Sequence, residues 1–345
     1  MKKSMLTVAA IMGIAFAAIF AFSALSNSSS KADTKSTPTP TKEIETKEMI
    51  KIGVTQIVSH PSLDNCRQGF IDGLAENGYI EGENVEFIIS DAQGEISNTT
   101  AIARNLVSQD VKLICAISTP SAQSVATAIQ NTEIPLIFNA ASDPIGAGLI
   151  NEDLTSNGNI TGVSDALPVK KQLELIRSLL PQAKKIGILY SASEVNSQAQ
   201  VEEYKQEAPK MGFEIVASAV SNINEISAAT QAILKDVDCL QNVLDNMVVS
   251  ALPTVLKYAD ENNVPVFGSE VEQVKGGCLA SEGIDYYELG KQCAQQAVKI
   301  LNGTSANTIP YETIINSSLF INKSEFDKLD KQPAFEEILD RAELV

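Results

Sequence analysis

The sequence predicts an α/β protein of two similar lobes, each a parallel sheet wrapped by helices, and three observations predict it. From Met49 onward, short apolar runs of strand length alternate with longer helical patterns. Near Val169 the alternation restarts in the same order and at similar spacing. Lys51-Ile52-Gly53-Val54 in the first half is echoed by Lys185-Ile186-Gly187-Ile188 in the second. A coda from about Gly277 adds short runs that neither half needs alone. A chain that crosses more than once between two lobes does need them.

Ahead of the alternation stand two other segments. Lys2 and Lys3 precede an uncharged apolar run from Met5 to Leu25, so residues 1–25 read as a signal peptide or an N-terminal membrane anchor. The run of 21 residues is long for a cleaved signal core and just long enough to span a bilayer. Either outcome makes the main body extracytoplasmic, secreted or tethered to the outer face of the membrane. Residues 26–48 are rich in Ser, Thr, Pro and Lys without a core-forming pattern, and read as a disordered linker.

In the first half, Ile50–Val58 reads as a strand and Ser62–Asn77 as a helix stopped by Gly78. Asn84–Asp91 is a strand, and Ser97–Gln109 a helix capped by Ser97 or Asn98. Lys112–Ser118 is a strand whose helix runs to about Asn131, and Pro135–Ala141 is a fourth strand. In the second half, Val169–Leu180 carries Leu173, Ile176, Leu179 and Leu180 on one side of a helix. Lys185–Ser191 is a strand, Asn196–Met211 a helix, Phe213–Val220 a strand and Glu225–Lys235 a helix. Cys239–Leu244 is a strand, about Val248–Asn262 one continuous helix and Val264–Gly268 a strand. The coda gives a strand over Gly277–Ile284, a helix over Tyr287–Asn302, strands over Pro310–Ile315 and Leu319–Asn322, and an extra helix in the tail from Lys331. The whole reads as two Rossmann-like lobes joined by a hinge. The expected crossings fall near 163–168, 283–287 and 316–322. Residues 49–165 with about 286–316 then form one lobe, and 166–285 with about 317–345 the other.

In open parallel sheets ligands bind beyond the carboxyl ends of the strands. The residues placed there in the first lobe are Gln56 and His60, then Thr119 and Ser121 with Ala122 beside them, then Ser142 and Asp143. In the second lobe they are Ser193, Glu194, Asn196 and Ser197, then Asp245 and Asn246, then Glu270, with Asp285 at a suspected crossing. The segment Leu113–Gln123 is the most pointed of these. A buried-strand run turns into a helix whose first turn carries Ser118, Thr119, Pro120 and Ser121. Free N–H groups and the positive dipole end at such a start favour a carboxylate. Hydroxyls and amides thus gather on one lobe, and carboxylates such as Asp245 and Glu270 on the other. That pairing suits a zwitterion such as an amino acid. Each of these residues taken singly is also an ordinary helix cap or turn former.

Other classes find little support. The formal charge is −17 and no basic patch stands out, which argues against nucleic acid. Cys66, Cys115, Cys239, Cys278 and Cys293 are widely spaced without a CxxC, so they suggest neither a metal site nor a disulfide framework. His60 is the sole imidazole, and no GxSxG frames a nucleophile for it. Gly146-Ala147-Gly148 lacks the third glycine of a dinucleotide turn, and no P-loop is present, so no cofactor is expected.

Five segments resemble the substrate-binding proteins of ABC importers in the tryptophan-binding-protein-like family. They are Gly53–Pro61 (GVTQIVSHP), Ser118–Gln123 (STPSAQ), Ser142–Leu149 (SDPIGAGL), Asn159–Asp165 (NITGVSD) and Gly283–Gly290 (GIDYYELG), in family order within residues 50–325. The resemblance implies a type I periplasmic-binding-protein fold and delivery of a small solute to an ABC permease in the membrane. Family members suggest an aromatic amino acid, for which His60, Phe138, Tyr190 and Tyr286 are ring contacts; Phe138, mid-strand, reads as core. Three departures stand out. The tail from Lys331 to Val345 goes beyond the matching region. No Cys follows the apolar run to take the lipid anchor of bacterial lipoproteins. Gln241 and Asn242 interrupt what should be a buried strand.

The sequence therefore leads to a non-enzymatic, monomeric, extracytoplasmic solute-binding protein whose lobes close on an amino acid. A membrane-tethered ligand sensor of the same fold is the alternative reading, and an enzyme on two α/β lobes lacks a catalytic set.

Overall fold

The computed structural model describes residues 49–166, 169–314, 317–329 and 335–345. The expected signal or anchor at 1–25 and linker at 26–48 lie outside the described residues. So do positions 167–168, 315–316 and 330–334, which fall in two of the expected crossings and in the tail.

The first half runs β1 (Ile50–Gln56), α1 (Pro61–Glu76), β2 (Val85–Asp91), α2 (Ile96–Val107), β3 (Leu113–Ile117), α3 (Thr119–Ala128), β4 (Leu136–Asn139) and β5 (Ile160–Ser164). The second runs α4 (Val169–Leu179), β6 (Lys185–Ser191), α5 (Val195–Glu207), β7 (Glu214–Val220), α6 (Ile226–Ile233), β8 (Cys239–Gln241), α7 (Asn246–Ser250), α8 (Leu252–Glu261), β9 (Val266–Phe267) and α9 (Val271–Lys275). The coda holds β10 (Ala280–Gly283), α10 (Tyr286–Leu301), β11 (Glu312–Thr313), β12 (Ser318–Ile321), α11 (Lys323–Phe326), α12 (Phe335–Asp340) and β13 (Glu343–Leu344).

Lobe 1 is a fully parallel sheet in the order β11-β5-β4-β3-β1-β2. Its inner strands are buried on both faces, and their side chains alternate between two cores. Ile52, Val54, Leu113, Cys115 and Ile117 face α1 and α10, whereas Ile114, Ala116, Leu136 and Phe138 face α2 and α3. Lobe 2 has the parallel order β7-β6-β8-β9. From β9 the hydrogen bonds Gly268 N→Ala280 O and Leu279 N→Val266 O lead on to β10, which pairs antiparallel with β12. The chain crosses back after β10, because α10 packs on α1 and β11 extends the lobe 1 sheet.

The seam between α1 and α10 is unusually close. A Cβ on Gly69 would lie 2.0 Å from Tyr287 O, one on Gly73 2.7 Å from Ala294 Cβ, and one on Gly290 2.1 Å from Cys66 O. Gly69 and Gly73 stand four apart on one face of α1, so the backbones meet where side chains would hold them apart.

Four elements differ from the sequence expectation. β5 is a fifth strand, where only a crossing was expected. The single helix over 248–262 is two helices broken at Ala251, with Pro253 in the first turn of α8. Proline has no N–H to continue the earlier helix and clashes with its carbonyls. β8 ends at Gln241, whose side-chain amide donates to Gly268 O and Ser269 Oγ, while the Ser269 hydroxyl donates to Asn242 O. α2 starts after Glu95 without a side-chain cap, while Asn98 instead reaches back to Ala92 O at 3.1 Å. The tail carries the extra helix α12 and then β13, which joins β12 in parallel. Among the described residues, no helix is long and apolar enough to cross a membrane.

Candidate functional site

The residues that follow β1, β4, β5, β6, β8 and β9 line a single small cavity between the lobes. Lobe 1 contributes His60, Ser62, Leu63, Ala140, Ser142 and Asp165, and Tyr286 enters from the head of α10. Lobe 2 contributes Asn196, Leu244, Asp245, Asn246, Val249, Glu270 and Gln273. The lobes are closed on it. Ser62 Oγ donates across the cleft to Glu270 Oε1 at 2.9 Å, and Leu244 packs into the lobe 1 core.

The lobe 2 carboxyls are committed to backbone. Asp245 accepts from Val248 N at 2.8 Å, capping α7, and from Ser191 N at 2.5 Å. Glu270 caps α9 through Glu272 N at 2.6 Å and Gln273 N at 2.9 Å. Glu194 accepts from Asn246 N at 3.2 Å and Met247 N at 3.1 Å, and also from the Asn246 side chain. Short helix starts turned into the cleft present unpaired N–H groups, and these acids answer them. Burial pushes Glu270 up to about 7, and burial with the neighbouring Asp245 pushes Glu194 up to about 8. Burial raises Asp245 too.

Asp165 differs. It follows β5, is 2% exposed, and takes the Tyr286 hydroxyl on Oδ2 at 2.5 Å. Its Oδ1 makes no well-formed hydrogen bond, although the Ser142 side chain stands near. Burial raises this carboxyl above its usual range. Three further atoms around the cleft are buried without a partner: both ring nitrogens of His60 and the Asn196 side-chain oxygen. Burial pushes the His60 imidazole down to about 4, against the opposing charges of Asp64 and Asp91.

Of the residues nominated from sequence, His60, Ser142, Asn196, Asp245, Asn246 and Glu270 meet in this cavity. Thr119, Ser121 and Ala122 lie at the same strand edge, buried, but outside the cavity wall. Ser118 ahead of them has φ +83°, a conformation costly for a residue with a Cβ. The Thr119 hydroxyl is buried without a partner, Ser121 bonds Ser118, and Ala122 joins the core. Gln56 is occupied with Asp64, Asp91 and Arg67. Asp143 holds the turn at Gly146 N, 2.8 Å away. Ser193 is exposed and bonds Ser191, Ser197 is buried behind the wall, and Glu194 lines a neighbouring groove at the cleft mouth. Asp285 is exposed and caps α10. Phe138 is core, packed against Tyr311 with ring centroids 6.3 Å apart. Tyr190 packs in the lobe 2 core, while the Tyr286 ring forms part of the cavity. The residues that sequence reasoning missed are Asp165, Ser62, Gln273 and the apolar side chains of Leu63, Ala140, Leu244 and Val249. Asp165 carried a signal, since it closes the segment NITGVSD that carries the family resemblance.

Two parallel-sheet lobes closed over a cavity at their strand ends define a type I periplasmic-binding-protein-like protein. The family model described as "ABC transporter substrate binding protein" matches residues 51–345, and the chain belongs to that family. It is 40% identical over 291 residues to the tyrosine-binding protein of Clostridioides difficile (strain R20291), covering 84% of each chain. The structure is similar to that of an ABC domain in complex with L-Trp from Streptococcus pneumonia, with TM-score 0.82, 37% identity, and coverage of 86% of this chain and 100% of that one. Against the ligand-free, open structure of a substrate-binding protein with adhesive properties from Clostridium difficile, the TM-score is 0.64, also at 37% identity, covering 86% of this chain and 99% of that one. At equal identity the TM-score is higher against the structure holding L-Trp than against the ligand-free, open one. The family binds solutes for import through a membrane permease and is not a family of enzymes.

Proposed function

We propose that the protein binds an aromatic amino acid in the interlobe cavity and hands it to an ABC permease from the outer face of the membrane, to which the N-terminal segment tethers it. The observation that carries this reading is a cavity whose mixed lining joins four aliphatic side chains and the Tyr286 ring to one buried carboxyl oxygen, Asp165 Oδ1, that lacks a well-formed hydrogen bond. Such an oxygen suits the ammonium group of an amino acid by a charge-assisted hydrogen bond. The start of α3, with the unpaired Thr119 hydroxyl, suits the ligand carboxylate once the lobes part to admit it. Leu63, Ala140, Leu244 and Val249 with the Tyr286 ring suit an aromatic side chain. The tyrosine- and tryptophan-binding relatives support the same class.

The test is isothermal titration of the purified protein with the twenty amino acids. One or more of tyrosine, tryptophan and phenylalanine is expected to bind at least about tenfold more tightly than leucine or glutamate, a difference of about 1.4 kcal/mol. Tighter binding of an aliphatic or acidic amino acid overturns the ligand class.

A further inference from the structure

Resting on the aromatic reading above, the geometry points to His60 and Asn196 as a hydroxyl-selecting pair that makes the protein discriminate tyrosine from phenylalanine. The two side chains line the same cavity from opposite lobes. His60 sits just ahead of α1, 8% exposed, and neither ring nitrogen makes a well-formed hydrogen bond, although the Asn246 side chain stands within reach of the ring. His60 does not cap α1 either. Burial keeps the ring neutral, so it presents one donor and one acceptor and is no cation for a carboxylate.

Asn196 is oriented without ambiguity. Its Nδ2 donates to Leu244 O at 2.9 Å, and a carbonyl can only accept, so the amide oxygen is the end turned free. That oxygen is buried and can only accept. An imidazole N–H on one side and an amide oxygen on the other match a group that accepts and donates at once. A phenolic hydroxyl does both. An indole N–H donates only, which serves Asn196 and leaves the imidazole donor bare. A phenyl ring serves neither and closes the lobes over unpaired polar atoms. Sites built for a hydroxyl reject the analogue that lacks it far more strongly than apolar pockets reject a size change.

The experiment measures Kd for tyrosine, tryptophan and phenylalanine by titration calorimetry on the purified protein and on His60→Leu, His60→Gln and Asn196→Ala. The wild-type protein is expected to bind tyrosine at least about 100-fold more tightly than phenylalanine, with tryptophan between. His60→Leu and Asn196→Ala are each expected to shrink the tyrosine-to-phenylalanine ratio at least tenfold, mainly by losing tyrosine affinity. His60→Gln, which keeps a donor and an acceptor, is expected to retain most of the ratio. Equal wild-type affinity for tyrosine and phenylalanine overturns the assignment, and so does a ratio unchanged in both His60→Leu and Asn196→Ala. Binding of no aromatic amino acid overturns the ligand class and this assignment with it, whereas binding without discrimination overturns the assignment alone.

Discussion

Asp165 and Asp245 are both aspartates at a strand end, both buried, and their oxygens are satisfied differently. Asp245 spends its oxygens on Val248 N and Ser191 N, so it holds the β8–α7 turn. Asp245→Ala is expected to cost about 1–2 kcal/mol of stability in urea denaturation, the range for a lost N-cap. Asp165 lines the cavity and keeps one oxygen without a well-formed hydrogen bond. Asp165→Asn is expected to weaken amino-acid binding by about 10²-fold while shifting the urea midpoint little, since Tyr286 keeps an acceptor there. The sequence made the two hard to tell apart. A carboxylate after a strand is visible in the chain, but whether the neighbouring N–H groups already claim it depends on how the next helix starts. Asp165 was obscured further because β5 lies in a Gly- and Asn-bounded stretch that the βα rhythm did not separate.

Among the elements, the regular ones were legible. β6 follows Lys185–Ser191 residue for residue, and the parallel pairing of both sheets follows from the βα alternation. What was not legible was set by distant contacts. The α1–α10 seam joins residues 215 apart in the chain, and nothing local marks Gly69, Gly73 and Gly290 as contact points. Gly290→Ala places a methyl against the Cys66 carbonyl and is expected to cost about 1–3 kcal/mol by overpacking. Chemical denaturation checks it, with Gly303→Ala as a contrast, since a Cβ there meets nothing although its φ of +95° adds strain.

For the molecule as a whole, closure encloses several acids whose protons then respond to pH. Glu194 rises to about 8, well above its ordinary value. A carboxyl raised on folding adds a penalty that is absent below its ordinary pKa near 4.5 and grows as pH rises toward 8. Glu194→Gln removes that penalty. Its Tm relative to the wild-type protein is therefore expected to move upward by on the order of 2 °C or more between pH 5 and pH 8. A Tm difference constant across that window removes Glu194 from this role. His60, held down to about 4, acts in the reverse sense: its contribution is full above about 6.5 and fades as pH falls toward 4.

The glycine seam also bears on when the molecule can come into being. The first lobe begins at β1, yet its α1 face stays uncovered until α10 has been made, and its outermost strand β11 comes later still. During synthesis most of the chain must therefore emerge before the lobe that starts it can shut. A protein destined to pass through a membrane pore as an extended thread gains from that delay. In a chain exported as an extended thread, such a late-arriving helix would favour the threadable state for nearly the whole length.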